Sequence, residues 1–184
     1  MTEYNPFAEG QGIEPGPWTT RVRRVVTGLN DEGKSVIVWD EENPHRNVGN
    51  GAPGYVITNV WRTEEAPADN SSPLADPWVS DEALSVGPTE TGTVFRFLEL
   101  PPDRDWRYDA DGNETRPLAF HTTSSIDYAI VIKGEIWAVM DEDETLLRAG
   151  DVLIQRGTHH AWSNRSDATV LLAFVLIGGT LPSS

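Results

Sequence analysis

The chain has 184 residues, enough for a real core, since a domain of about 150 residues buries roughly 70% of the surface its unfolded chain exposes. Its formal net charge is −15, from 14 Lys+Arg against 29 Asp+Glu, and this excludes the broad basic surface that a nucleic-acid backbone requires. With no cysteine, it has no disulfides, thiolate metal ligands or cysteine nucleophiles.

Residues 1–17 carry Pro6, Pro15 and Pro17 with Gly10, Gly12 and Gly16, and read as an extended arm. Arg21 to Thr27 and Lys34 to Asp40 are β-rich runs around the turn-forming segment Gly28 to Gly33, which predicts a hairpin. The cluster Arg21, Arg23 and Arg24 is expected on a solvated strand face. Residues 41–54 read as a polar loop, with His45 exposed, and Tyr55 to Trp61 as a strand. The stretch 62–91 is acidic and carries Pro67, Pro73, Pro77 and Pro88. A loop of that length inside a compact domain is commonly functional, for instance as a lid, and a short helix fits around Asp81 to Leu84. Gly92 to Leu100 reads as a strand and 101–117 as a second polar loop. Short strands follow at Tyr128 to Ile132, Glu135 to Met140, Thr145 to Leu147, Asp151 to Gln155, His160 to Ser163 and Thr169 to Ile177. Many short strands separated by Gly or acidic turns predict a closed barrel or jelly roll. No run approaches the ~20 apolar residues that span a bilayer. No basic region followed by an apolar run opens the chain, so a cytoplasmic location is expected, with no membrane partner.

Three of the four histidines, His121, His159 and His160, fall in this strand-dense region, with Asp127 six residues after His121. Two imidazoles and a carboxylate form a ligand set suited to one divalent first-row ion such as Fe, Mn, Zn or Ni, and leave coordination positions open for substrate. His121-x-Thr123, then Asp127 after three residues and Gly134 after six more, resembles the first motif of the cupin superfamily, which reads His-x-His, three or four residues, an acid, six residues, Gly. Gln155-x-Gly157, then His160 and Asn164, resembles the second motif, which reads Pro-x-Gly, two residues, His, three residues, Asn. Thr123 stands where the family has a second histidine, Asp127 where it has Glu, and Gln155 where it has Pro.

The resemblance spans about residues 93–178 and implies an all-β fold, the double-stranded β-helix or jelly-roll barrel. An N-terminal β extension (1–92) would pack on a barrel formed by 93–184, with few short helices. It implies metal ligands His121, Asp127 and His160, with Thr123 and His159 as candidates for proton transfer or water positioning. Strand parity sends His159 to the surface or rim if His160 points inward. Trp137, Trp162 and Arg96 are candidate substrate-pocket residues, although aromatics in a small barrel are more often packing and a strand Arg more often solvated. Tyr128, next to Asp127, should point away from the cavity.

The implied function is a metal-dependent enzyme acting on a small oxygenated organic molecule. A lyase, dehydratase or decarboxylase would use the ion as a Lewis acid. The alternatives are an Fe(II) dioxygenase, a metal-free isomerase with a His–Asp base, and a small-ligand-binding module without turnover. The arm and the 21–40 hairpin suggest strand exchange in a homodimer.

Overall fold

In the computed structural model, which describes residues 5–70, 74–78 and 85–182, the β-branched and aromatic runs form eleven strands. The only helical turn among the described residues is a 3-10 turn at Asp103–Asp105. β1 (Arg23–Leu29) and β2 (Ser35–Glu42) make a separate hairpin, as predicted. β3 (Arg46–Val48), β4 (Val56–Thr63), β5 (Thr93–Leu100), β6 (Ser125–Lys133), β9 (Val152–Arg156) and β11 (Val170–Gly178) form a six-stranded sheet in the order β3-β4-β5-β11-β6-β9. β7 (Glu135–Met140), β8 (Glu144–Arg148) and β10 (His160–Ser163) form a three-stranded sheet in the order β10-β7-β8. All pairings are antiparallel. From β6 onward the chain passes back and forth between the two sheets, which is the winding of a double-stranded β-helix.

Alternation decides what fills the interior. Val94, Arg96, Leu98 and Leu100 on β5, Asp127, Ala129 and Val131 on β6, and Ile136 and Ala138 on β7 are buried at every second position. They meet Ile57, Leu172, Phe174 and Leu176, so the core lies between the two sheets. Each large aliphatic chain fully buried here contributes about 1.5–3 kcal/mol.

Four features differ from the sequence expectations. The polar loop 41–54 contains β3, too short and polar for its alternation to show. The 101–117 loop is pinned from within: buried Arg107 pairs with buried Asp103 at 2.9 Å, and Trp106 packs edge-on against Tyr55. Arg23 is exposed as expected, but Arg24 is buried between Glu41 and Asp76 and lies over Trp39. His45 is half-buried, 2.8 Å from Asp76. The short helix expected around 81–84 lies outside the described residues.

β4 and β5 pair from Val56↔Glu99 to Thr63↔Thr93, so two strands of the N-terminal half are continuous with the main sheet. The arm lies along its own chain: the Asn50 amide donates to the Pro6 carbonyl at 2.7 Å, the Gly16 amide to the Pro53 carbonyl at 2.9 Å, and Phe7 is buried in the core. Among the described residues no helix is long and apolar enough to cross a membrane.

Asp76 fastens the hairpin to the barrel side. Burial pushes its carboxyl up, but hydrogen bonds from Arg24 and His45 outweigh this and hold it at about 2. Asp76→Ala should therefore lower stability by about 1–3 kcal/mol in urea titrations. The stability Asp76 contributes should be complete above about pH 4 and lost as the pH falls towards 2, because protonation below the unfolded value of 3.8 breaks the contact. A variant matching wild type at pH 7 would show that Arg24 is held without it.

Candidate functional site

The two sheets meet at a pair of histidines. His160 opens β10, one residue past a loop that Gly157 turns at φ +61°. A side chain at Gly157 would be strained in that backbone and would crowd Pro182 at 3.1 Å. His121 lies before β6 and forms an isolated antiparallel bridge to His160. The His121 amide donates to the His160 carbonyl at 2.9 Å, and the His160 amide to the His121 carbonyl at 3.0 Å. This bridge brings the ring centroids to 4.4 Å.

Each ring is oriented by its own backbone. His121 Nδ1 lies 2.9 Å from the Ala119 carbonyl, and His160 Nδ1 lies 2.9 Å from the Thr158 carbonyl. A carbonyl only accepts, so Nδ1 carries the proton and the lone pair resides on Nε2 in both rings. Gln155, where the family motif has Pro, sends its Nε2 donor to the same Thr158 carbonyl at 3.0 Å and helps fix the loop that aims His160. Burial, and then the charge of His121, push the His160 imidazole down to about 4; burial also lowers His121. Both rings are thus neutral at pH 7, the state a metal ion or an acid–base step requires.

Asp127 points into the barrel but is held apart from the histidines. Its carboxylate accepts from Ser125 Oγ at 2.5 Å and from Thr123 Oγ1 at 3.4 Å. Burial raises its pKa, opposed by these two hydroxyls and by the charge of Arg96. Among the described residues, no three His, Asp or Glu side chains converge as a metal-binding group. The expected triad of His121, Asp127 and His160 is therefore not assembled: two imidazoles stand together, and the carboxylate is turned to Ser125 and Thr123. The pair fits a divalent ion in ring state and orientation but offers two donors rather than three.

The other candidates separate by strand parity. His159 is exposed, 2.7 Å from Asp141 and stacked on Phe120, on the rim and outside the His pair. Trp162 faces inward, edge-on to His160 at 6.0 Å and to Phe174 at 5.4 Å. Trp137 has the opposite parity from buried Ile136 and Ala138, and lies outside the pocket under the Arg165 guanidinium. Arg96 is inward and buried, contrary to the solvated-face reading. Tyr128 is exposed, as expected. Asn164 is fully buried and structural: its Nδ2 donates to the Leu100 and Ala168 carbonyls at 2.9 Å, and its amide to Asp103. Gly134, at φ +80°, makes the β6–β7 turn against Val170.

The barrel is open where β8 and β9 do not pair. A cleft of about 450 Å³ there is lined by Ala138, Met140, Leu153, Gln155 and Thr158 among others. It adjoins the residues that hold His160, although neither site histidine lines it.

Two polar interior residues escaped the sequence reading, Ser125 and Asn59. Their signal was parity: Thr123, Ser125 and Asp127 fall on one face, and Asn59 shares the inward face of Ile57.

No family model matches the chain. It is 30% identical over 153 residues to the cupin-domain-containing oxidoreductase virC of Hypocrea virens, covering 82% of this chain and 71% of that protein. The chain belongs to the cupin family. This cupin is also 32% identical over 169 residues to the phomopsin biosynthesis cluster protein C′ of Diaporthe leptostromiformis, covering 87% of this chain and 79% of the relative. Among solved structures it is similar to a Klebsiella pneumoniae protein with a double-stranded β-helix domain, at 18% identity and a TM-score of 0.43, covering 72% of this cupin and 83% of that chain.

Long-range 1H–15N correlation on metal-stripped protein should show both His121 and His160 as Nδ1–H tautomers at pH 7. His160 should stay unprotonated until the pH nears 4. An Nε2–H tautomer on either ring would contradict the backbone anchoring described above.

Proposed function

We propose that this cupin is an enzyme that works on a small oxygenated organic molecule inside the barrel, at the His121–His160 pair. The observation that carries this reading is the pair itself: two mostly buried, neutral imidazoles, each with Nδ1 on a backbone carbonyl and their rings 4.4 Å apart. Two neutral imidazoles whose lone pairs lie on Nε2 have the chemistry to bind a metal ion or to accept a proton.

Oxidoreduction is the reaction class favoured here. Three relatives, virC, srdD and fogC, are named cupin-domain-containing oxidoreductases, and others are named as proteins of phomopsin and oryzines biosynthesis clusters. These names support redox chemistry on a biosynthetic intermediate over the lyase, dehydratase or decarboxylase reading, which stands as the alternative. Within the redox reading, one divalent first-row ion would be held by Nε2 of His121 and His160. When bound, it would supply electrophilic activation of a substrate oxygen. Trp162 packs edge-on against His160, while Thr123 and Ser125 keep Asp127 in reserve as a second proton acceptor. His159, at the rim, is placed to exchange protons with solvent.

The test is metal analysis of purified and reconstituted protein, paired with His160→Ala. About one equivalent of a first-row metal per chain is expected in wild type and a loss of at least tenfold in affinity in the variant, with the barrel still folded by circular dichroism. Full occupancy in His160→Ala would remove His160 from the site, and a wild type that takes up no metal after loading would sink the metal reading.

The partner we propose is a second copy of the chain. The outer face of β6 and β9 presents Ile126, Tyr128, Ile132, Val152 and Ile154, each at least 41% exposed, on a chain of net charge −15. The β1–β2 hairpin adds exposed Val25, Leu29, Ile37 and Val38, and a two-stranded hairpin is marginal without cover. A self-complementary apolar face of this kind suits a two-fold dimer. Light scattering should return twice the chain mass of 20.3 kDa, and Tyr128→Glu with Ile154→Lys should return one chain mass. A monomeric wild type would overturn the dimer.

A further inference from the structure

The barrel interior holds a second polar cluster, away from the histidines, whose hydrogen-bonding capacity is only partly met within the chain. Arg96 on β5 is 7% exposed and shares the inward face of Val94 and Leu98. Its Nη1 donates to the Val86 carbonyl at 3.0 Å and its Nη2 to the Ser85 carbonyl at 3.1 Å. Its Nε has no acceptor. Both bonds are to neutral carbonyls, the guanidinium lies over the Phe7 ring at 5.8 Å, and among the described residues Arg96 forms no ion pair. The nearest acid acting on it is Asp127, whose carboxylate is occupied by Ser125 and Thr123. Directly across the sheet in register stands Asn59 on β4, fully buried, with neither Nδ2 nor Oδ1 partnered. The Asn59 main chain is satisfied, its amide by the His45 carbonyl and its carbonyl by Asn43 Nδ2, so only the side chain is left open.

Such a cluster is expensive. Each unmet buried polar atom destabilises the fold, and a buried cation without a counter-charge does so further. Holding segment 85–86 would account for the two Nη groups of Arg96. It does not account for the Arg96 Nε donor, the Asn59 amide donor and the Asn59 carbonyl acceptor facing one interior. What satisfies all three is an anion with two acceptor oxygens and a neighbouring hydroxyl donor.

We propose that Arg96 and Asn59 form the substrate-recognition end of the barrel, binding the carboxylate of a small hydroxy acid. The Arg96 guanidinium supplies the counter-charge and one donor. Asn59 Nδ2 donates to the carboxylate, and Asn59 Oδ1 accepts from the hydroxyl on the adjacent carbon. Phe174, which faces Arg96 in register, and Trp162, edge-on to both Phe174 and His160, form an apolar wall between this end and the histidines. A molecule anchored at Arg96 lies along that wall with its far end towards the His pair. This inference rests on the reading that the barrel interior is the substrate site, and it names the class of molecule that site takes.

Glycolate and its neutral isostere glycolamide are the probes, titrated into metal-stripped protein at constant ionic strength with chloride as the control anion. Side-chain NMR should show saturable shifts of the Arg96 Nε–H and the Asn59 amide with glycolate, at least tenfold weaker binding of glycolamide, and weaker binding of acetate, which lacks the hydroxyl. Arg96→Gln should weaken glycolate at least tenfold. The wild-type shifts decide the matter even if that variant fails to fold. Equal binding of glycolamide, equal shifts with chloride, shifts confined to surface residues, or no saturable binding would each overturn the proposal. His160→Ala should still bind glycolate, so a failure of the histidine chemistry and a failure of this anchor give different results.

Discussion

The structure turns on one antiparallel bridge, the two reciprocal hydrogen bonds between the backbones of His121 and His160. His121 leads into β6 of the large sheet, and His160 begins β10 of the small one. The bridge therefore links the two sheets and sets the spacing of the two rings in a single step. Because each Nδ1 is spent on a carbonyl two residues back in its own chain, the ring orientation follows from the backbone and needs no further side-chain partner. The residues around the bridge serve it indirectly. Gly157 allows the turn before it, Gln155 steadies the Thr158 carbonyl, and Asn164 with Asp103 clamps the segment after it to the end of β5.

Against that ordered seam, the rest of the interior is polar to a degree a purely structural core would not tolerate. Arg96, Asn59, Asp127, Thr123 and Ser125 all face inward among Val94, Leu98, Phe174 and Leu176. The carboxylate is satisfied by two hydroxyls, whereas the guanidinium Nε and the Asn59 amide are not. Packing alone would place apolar chains at those positions and gain stability from each. The unmet Arg96 Nε and Asn59 amide, side by side across β4 and β5, are the observation on which the proposed substrate anchor rests.

Much of this was legible in the sequence, for identifiable reasons. The strands from β5 onward were read within a few residues because alternation and Gly turns mark them strongly. His160 and its inward parity, the outward Tyr128 and the rim position of His159 followed from period two. Asp127 fits the motif spacing with His121, but spacing along a strand does not fix which neighbours a carboxylate chooses. Two hydroxyls at the same parity, Thr123 and Ser125, took it. Trp137 failed for the opposite reason, since one position of register separates a pocket residue from one stacked under Arg165. The buried ion pair of Asp103 and Arg107 lay in a segment whose composition reads as solvated loop, because composition does not reveal that two charges will be paired and enclosed.

The same physics explains why the departures from the family motif do not damage the fold. Thr123 replaces an imidazole with a hydroxyl, and Asp127 is a methylene shorter than Glu. Together they shorten the reach from β6 to the seam, and the two groups bond to each other instead. Gln155 in place of Pro supplies a donor where Pro would supply only a fixed φ, and that donor is used on the carbonyl that orients His160. Each substitution thus removes a potential ligand or a conformational lock and returns a hydrogen bond within the barrel. The result is a centre that keeps two of the family's imidazoles while its carboxylate is turned to the hydroxyls of Ser125 and Thr123.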